Sequence, residues 1–170
     1  SAAALTFGLG SWSITSGPGN VIAGQTATLT SLGVGLNVVG FTVTNAGSTC
    51  PNTIASATVI VDPVTNTPVI TPALQTICGL APGTNASAAP LSVGVGEWSV
   101  VTTTGTVNSP NSQTTTSLTG LGVGTNVVRF DVSNVGSTCP NTNATATIVV
   151  DPITSPAILA PVSQTICGLT

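Results

Sequence analysis

Apolar residues in this chain fall in short runs that are separated by Gly, Pro, Asn, Ser and Thr. In the clearest run, residues 126–134, Val128, Phe130, Val132 and Asn134 alternate with Val127, Arg129, Asp131 and Ser133. A period of two with one polar and one apolar face is typical of a β-strand on a half-buried sheet. Because β-branched residues suit a pleated sheet and Gly, Pro and Asn interrupt it, the pattern predicts an all-β chain.

The later part of the chain shows the strand pattern most completely. Its predicted strands are Val69–Thr71, Gln75–Cys78, Leu91–Val95, Glu97–Thr103, Thr114–Leu118, Asn126–Asn134 and Thr145–Val150. Six or seven short strands in about 85 residues, with turn signals between them, predict an antiparallel Ig-like β-sandwich.

An internal repeat sets the domain organisation. The sequence Gly-Ser-Thr-Cys-Pro-Asn-Thr occurs at 47–53 and again at 136–142, a shift of 89 residues. The same shift relates Cys78 to Cys167, whereas Trp12 and Trp98 are 86 residues apart. The chain is therefore two copies of one module, and one copy has gained or lost three residues.

The phase of the repeat leaves one copy split. Residues 64–152 contain a complete set of Cys78, Trp98 and Cys139, and are predicted to form a complete module. Residues 1–63 are predicted to form a module that lacks its first strands, and 153–170 to be the first strands of the next module. The first module would be completed by a preceding repeat of a longer polypeptide or by the tail of a neighbouring subunit. Both alternatives predict sandwich modules joined head to tail, and the linkers Val-Asp-Pro at 61–63 and 150–152 favour an extended path.

The four cysteines point to disulfides. An Ig-like sandwich packs a central Trp against a disulfide, and the order Cys78, Trp98, Cys139 fits that plan, with Trp12 as the core Trp of the first copy. A bond from Cys78 to Cys139 would close a loop of about 60 residues and contribute about 4 kcal/mol. Cys50 and Cys167 would bond to adjacent repeats or subunits. The alternatives are buried free thiols or metal ligands, and zinc is disfavoured because the chain has no His and no Cys-x-x-Cys.

The charge content excludes several functions. Only 3% of the residues are charged, against about 25% in an ordinary soluble domain. The one cation is Arg129, and His is absent, so the usual groups of acid-base catalysis are missing and an enzyme is not expected. A single cation provides no footprint for nucleic acid. No window has the roughly 18 apolar residues of a membrane span, and no cofactor or metal site is expected.

Smaller motifs have simple structural interpretations. The Gly-Val-Gly runs at 33–35 and 122–124 resemble phosphate loops but precede no helical pattern, so tight corners are expected. Asn85 and Asn143 begin Asn-x-Ser/Thr triplets, which are candidate glycosylation sites or coincidences. Arg129 and Asp131 are expected to form a solvated contact of little weight. Glu97 lies too far from Asp131 in the sequence to suggest a catalytic pair.

These motifs resemble the tandem Ig-like or PKD-like repeats of very large Bacteroidota surface proteins. The strings that carry the resemblance are Gln-Thr-Ile-Cys-Gly at 75–79 and 164–168, Gly-Glu-Trp-Ser-Val-Val at 96–101, Asn-Ser-Pro-Asn-Ser at 108–112 and the glycine-rich run at 118–130. The repeats in question are of the gliding-adhesin type and are exported by the type 9 pathway. The resemblance implies an extracellular, cell-surface filament or adhesin stalk whose partners are copies of itself. At Gly40 the first copy departs from the Arg129 of the second.

A binding module is the alternative function. An Ig-like domain of this kind would recognise a carbohydrate or another surface ligand. Carbohydrate sites usually expose aromatic side chains, but this chain has two Trp, three Phe and no Tyr. Solvent exposure of Trp98 would favour the binding module, and burial would favour the structural one.

Overall fold

The computed structural model describes residues 1–23, 26–79, 83–102, 104–158 and 163. Within these residues there are thirteen strands and no helix. The strands are β1 (Leu9–Ser16), β2 (Asn20–Ile22), β3 (Thr28–Thr30), β4 (Gly35–Thr44), β5 (Thr53–Val61), β6 (Ile70–Thr71), β7 (Leu74–Cys78), β8 (Thr84–Ala88), β9 (Val95–Val100), β10 (Thr106–Val107), β11 (Thr115–Thr119), β12 (Gly124–Ser133) and β13 (Thr142–Asp151). The described part of the chain has no helix that could cross a membrane.

The chain divides into two compact units. Unit 1 comprises Ser1–Thr65 together with Asn134–Asn141, and unit 2 comprises Asn66–Ser133 with Thr142–Thr170. Along the chain, unit 1 gives way to unit 2 after Thr65, two residues beyond the predicted boundary after residue 63. The segment 134–141, which joins β12 to β13, belongs to unit 1 although the repeat assigns it to the second module.

Unit 2 is an antiparallel β-sandwich, which confirms the predicted fold class. One sheet has the order β7-β13-β12-β9 and the other β10-β11-β8-β6. β12 and β13 form a long antiparallel hairpin, whereas β7 pairs with β13 in parallel. The alternation predicted for β12 places Val128, Phe130 and Val132 in the core, at most 1% exposed. Residues of both sheets fill this core, so the sheets pack face to face.

Unit 1 repeats only part of this plan. It has one sheet with the order β1-β4-β5 and a separate hairpin of β2 and β3. In the described residues, β5 pairs only with β4 and is an edge strand, whereas its counterpart β13 has a neighbour on both sides.

The two Gly-Val-Gly runs are corners, as the sequence predicts. Gly35 and Gly124 begin β4 and β12 with φ of +96° and +101°, which non-glycine residues rarely adopt. The same side chain secures each corner: Asn37 Nδ2 donates to the Gly33 carbonyl at 2.8 Å, and Asn126 Nδ2 makes the equivalent bond at 2.8 Å. The copies thus share local geometry as well as sequence.

The predicted strands differ from the observed ones at 91–94, at β8 and at the two-residue β10, which was not predicted. No strand occupies 91–94, where the chain bends before β9. The sequence did not predict β8, because Thr-Asn-Ala-Ser-Ala has no large apolar residue to mark it. Its alanines are nevertheless buried, since the bulky side chains of the facing sheet leave room only for small ones.

Candidate functional site: an open apolar groove

Unit 1 carries an open groove of about 420 Å³ on the inner face of its sheet. Most of its lining is apolar: Ala2, Ala3, Leu5, Trp12, Val39, Phe41, Val43, Ala55 and Ala57, together with Ser1 and Ser56. The strands β1, β4 and β5 supply the lining from Trp12 onward, and residues 1–5, which precede β1, supply the rest. Val39, Phe41 and Val43 alternate along β4, so the groove is the side of the sheet that a sandwich would bury.

Unit 2 shows the same face closed. Phe130, Val132 and Ala146, the counterparts of Phe41, Val43 and Ala57, are 0%, 0% and 3% exposed. In unit 1 Ala57 is exposed and Phe41 is only partly buried. Because the equivalent side chains are identical, the difference lies in what covers them.

The covering strands of unit 2 can be named. Ile70 of β6 and the two alanines Ala86 and Ala88 of β8 belong to the buried core, and Ile77 of β7 packs against it. β7 also pairs with the outer edge of β13, from Leu74 opposite Thr147 to Cys78 opposite Asp151. The strands β6 and β8 thus cover the core face together with β11, whose Leu118 is fully buried, and β7 extends the other sheet.

The two Trp residues occupy equivalent positions, but only Trp98 lies in the core. The Trp98 side chain is 2% exposed, stacks on Phe130 with a ring-centroid distance of 4.5 Å, and donates from Nε1 to the Ser112 carbonyl at 2.9 Å. Trp12 contacts Phe41 in the same way, at 4.6 Å, but is partly exposed at the groove. Burial of Trp98 disfavours a ligand site at that position.

The predicted Cys78–Cys139 disulfide is not formed in the structure. Cys50, Cys78 and Cys139 are free thiols; Cys50 and Cys78 are exposed and Cys139 is partly buried. Cys78 lies beside Asp151, the last residue of β13, whereas Cys139 comes three residues before β13 begins at Thr142. A ten-residue strand spans about 30 Å, far more than the roughly 4.4–6.8 Å between the Cα atoms of a disulfide. The analogy with the Ig disulfide failed because Cys139 is in the loop before the last strand. Cys167 lies outside the described residues.

Asp62 anchors the loop that carries Cys139. The Thr138 backbone N–H and hydroxyl donate to Asp62 Oδ2 at 2.6 and 2.8 Å, within unit 1. The backbone hydrogen bond, followed by that of the hydroxyl, lowers the pKa of the Asp62 carboxyl below its ordinary 3.8. The sequence did not predict this contact, because Val-Asp-Pro is typical of a linker and the partner is 76 residues away.

Three of the four remaining charged residues, Arg129, Asp131 and Glu97, lie on an exposed sheet face of unit 2. Arg129 Nε donates to Asp131 Oδ2 at 2.7 Å, and both side chains are well exposed, as predicted. Glu97 on β9 is the register partner of Asp131, so the two acids lie side by side although they are far apart in the sequence.

Two further expectations concern surface chemistry. The side chains of Asn85 and Asn143 are exposed, and glycosylation there stays a prediction. Among the described residues, no three His, Cys, Asp or Glu side chains come together as a metal site.

In comparisons with known proteins, no family model and no curated protein matches the chain. Several solved structures are similar. Domains 4 and 5 of the S-layer protein SbsC are 14% identical over 84% of this chain and 70% of that one, with a TM-score of 0.38. Domains EC1-2 of human mucin-like protocadherin are 12% identical over 89% and 91%, with a TM-score of 0.39. The human desmocollin-1 ectodomain is 14% identical over 85% and 33%, with a TM-score of 0.32. Likeness at this level says nothing about what this chain does, so its function rests on its own residues.

Proposed function

We propose that this chain is a structural repeat of an extracellular cell-surface filament or adhesin stalk, in which modules join head to tail. The observation that carries the proposal is the groove of unit 1, which is open although the same residues are closed in unit 2. An apolar face of this kind on a soluble module marks an interaction site.

The occupant we propose is the first-strand segment of the preceding repeat. In unit 2 the segment that fills this position begins with β6 and β7, and the run Gln-Thr-Ile-Cys-Gly-Leu at 75–80 returns at 164–169. A second copy of the chain therefore carries the counterparts of β6 and β7 in its tail, residues 153–170. The same segment could precede unit 1 within a longer polypeptide, and the chemistry of the contact would be unchanged.

The edge of β5 supports the same occupant. In the described residues β5 pairs only with β4, so its outer N–H and C=O groups are available to a further strand. Strand addition supplies backbone hydrogen bonds along an edge while alternate side chains enter an adjoining pocket. β7 does both in unit 2, because it pairs with β13 while Ile77 packs on the core.

The cellular setting follows from composition and resemblance. A surface with 3% charged residues has little electrostatic repulsion to keep modules apart, which favours association. The resemblance to Bacteroidota gliding-adhesin repeats supports a cell-surface location and export by the type 9 pathway. A carbohydrate-binding module remains the alternative, and its ligand would have to compete for the groove.

The test changes the donor segment of the full chain. Ile166 is the counterpart of Ile77, which packs on the core, and Thr165 is the counterpart of the exposed Thr76. Ile166→Asp should prevent end-to-end association in sedimentation velocity and negative-stain images, because it would bring a carboxylate into the groove. Thr165→Asp, with the same charge on the outer side, should associate as the parent chain does.

The outcomes separate the alternatives. A parent chain that stays monomeric and whose groove does not bind a synthetic peptide of residues 153–170 would contradict the proposal. Binding of a glycan in place of that peptide, followed through Trp12 fluorescence, would favour the carbohydrate module.

A further inference from the structure

We propose that the disulfides of this protein cross module junctions: the cysteine at the Cys78 position of one module bonds to the cysteine at the Cys139 position of the next. This inference rests on the proposed head-to-tail function and adds a covalent link to it. It replaces the pairing of Cys78 with Cys139, which the ten-residue length of β13 keeps apart.

The first observation is the position of Cys78 at the end of unit 2. Cys78 is the register partner of Asp151 in the parallel pair of β7 and β13. The next residue, Gly79, donates its N–H to the Asp151 carbonyl at 2.9 Å. Since Ile77 packs on the core and strand neighbours point to opposite faces, Cys78 points outward, and it is exposed.

The second observation is the position of Cys139 in unit 1. Its Sγ lies 3.8 Å from the backbone carbonyl oxygen of Asp62. Two hydrogen bonds from Thr138 to the Asp62 carboxylate fix the loop there. The thiol is thus held against one backbone atom at the end of unit 1.

The repeat makes these two positions equivalent. Asp62 and Asp151 are the same residue of the module, each following a final strand in Val-Asp-Pro. In a completed unit 1, the Asp62 carbonyl would accept the N–H of the residue after the preceding repeat's first cysteine, as the Asp151 carbonyl does from Gly79. That cysteine and Cys139 would then lie on either side of one carbonyl group, within the reach of a disulfide.

The loops of the two copies present their cysteines alike. The backbone N–H groups of Cys50 and Cys139 each donate to the hydroxyl of the serine two residues earlier, at 3.1 and 3.0 Å. Cys50 of a following copy would therefore approach Cys78 as Cys139 approaches its own partner.

The chemistry is an ordinary thiol-disulfide exchange. Two thiols form one S–S bond and pass two protons and two electrons to a disulfide oxidant, which leaves as two thiols. An oxidising extracellular setting supplies such an oxidant, and oxidised glutathione serves in the test tube.

The pairing differs from the intramodule one in a way that peptide mapping resolves. If the disulfides cross the junction, Cys78 of one copy bonds to Cys50 of the following copy, and Cys167 of the first copy bonds to Cys139 of the following one. Pairing inside modules would instead give Cys78 with Cys139 in one chain and Cys167 with Cys50 between chains.

The experiment oxidises the assembled full chain with oxidised glutathione, blocks remaining thiols and maps the linked peptides after peptic digestion. We expect both junction-crossing pairs. Cys78→Ser should free Cys50 and leave the bond between Cys139 and Cys167, whereas Cys139→Ser should free Cys167 and leave the bond between Cys50 and Cys78.

Other results overturn the inference. A peptide linking Cys78 to Cys139, a link between Cys50 and Cys167, or four blocked thiols in assembled material would each contradict it. Sedimentation before oxidation separates this failure from that of the function: assembly with the wrong pairing refutes only the disulfide, whereas a chain that never assembles refutes both.

Discussion

The same substitution placed in the two copies tests whether the groove is a binding surface. Ala57 and Ala146 are equivalent residues, but Ala57 is exposed in the groove and Ala146 is 3% exposed in the core. Ala146→Asp would bury an unpaired carboxylate, which costs several kcal/mol and is a large fraction of the roughly 5–15 kcal/mol that stabilises a domain. Ala57→Asp should change the stability of a dilute monomer by about 1 kcal/mol or less, since a strand tolerates an exposed polar residue at that cost.

Ala57→Asp, which should have little effect on the stability of the monomer, should have a large effect on association. If a neighbouring segment covers the groove as the facing strands cover the core of unit 2, the carboxylate becomes buried on association. A penalty of about 3 kcal/mol would weaken association by roughly 100-fold, because each 1.4 kcal/mol is a factor of ten. Ile54→Asp is the matched control: Ile54 is on the outer face of β5 and is 71% exposed.

Two measurements check the prediction. Urea unfolding of the dilute chain, followed by Trp fluorescence, gives the stability of each unit, since each has one Trp. Sedimentation equilibrium gives the association constant. If Ala57→Asp associates as tightly as Ile54→Asp, or if Ala146→Asp leaves the stability of unit 2 unchanged, the reasoning from equivalent faces is wrong.

Two further predictions concern the Asp62 anchor and the fit beneath Phe130. Because the folded state lowers the pKa of Asp62, the carboxylate stabilises the Thr138 contact at pH above 3.8, and this stabilisation is lost as the pH falls through the lower, folded value. The Thr138 amide shift in NMR should titrate below pH 3.8 in the parent chain and not in Asp62→Asn; a midpoint above 3.8 would contradict the anchor. Gly96→Ala would place a methyl group against the Phe130 ring and should cost about 1–3 kcal/mol in urea unfolding. Gly10→Ala, the equivalent change beneath the partly exposed Phe41 ring, should lower the free energy of unfolding by less. Equal losses would mean that Phe41 is packed as tightly as Phe130, and that the groove of unit 1 is not open.

Much of the fold could be predicted from the sequence because the signals were local. The period of two in β12 and the shift of 89 residues needed no tertiary information. The strand β8 was missed because a strand of small residues carries no hydrophobic alternation, and only the bulk of Trp98 and Phe130 opposite explains its alanines.

The candidate site was predictable only in part. The split phase of the repeat predicted that the first module lacks strands, but its exposed lining depends on the register of β4 and β5. The Asp62 anchor joins residues 76 apart and has no sequence signature. The structure does not bring Cys78 to Cys139, and this could not be predicted because order along the chain says nothing about which end of a strand a loop occupies.

The placement of the anchor suggests why a module would leave its own sandwich incomplete. A strand segment that fills a neighbour's groove contributes apolar burial and backbone hydrogen bonds at the junction rather than inside one module. The loop at 134–141 belongs to unit 1 and holds Asp62, so a second contact fixes the same end of that unit. With few charges available, ion pairs can add little strength, so in the proposed assembly the junction would depend on apolar burial, backbone hydrogen bonds and the proposed disulfides. A chain built in this way concentrates its stabilising contacts where pulling forces would otherwise separate its modules.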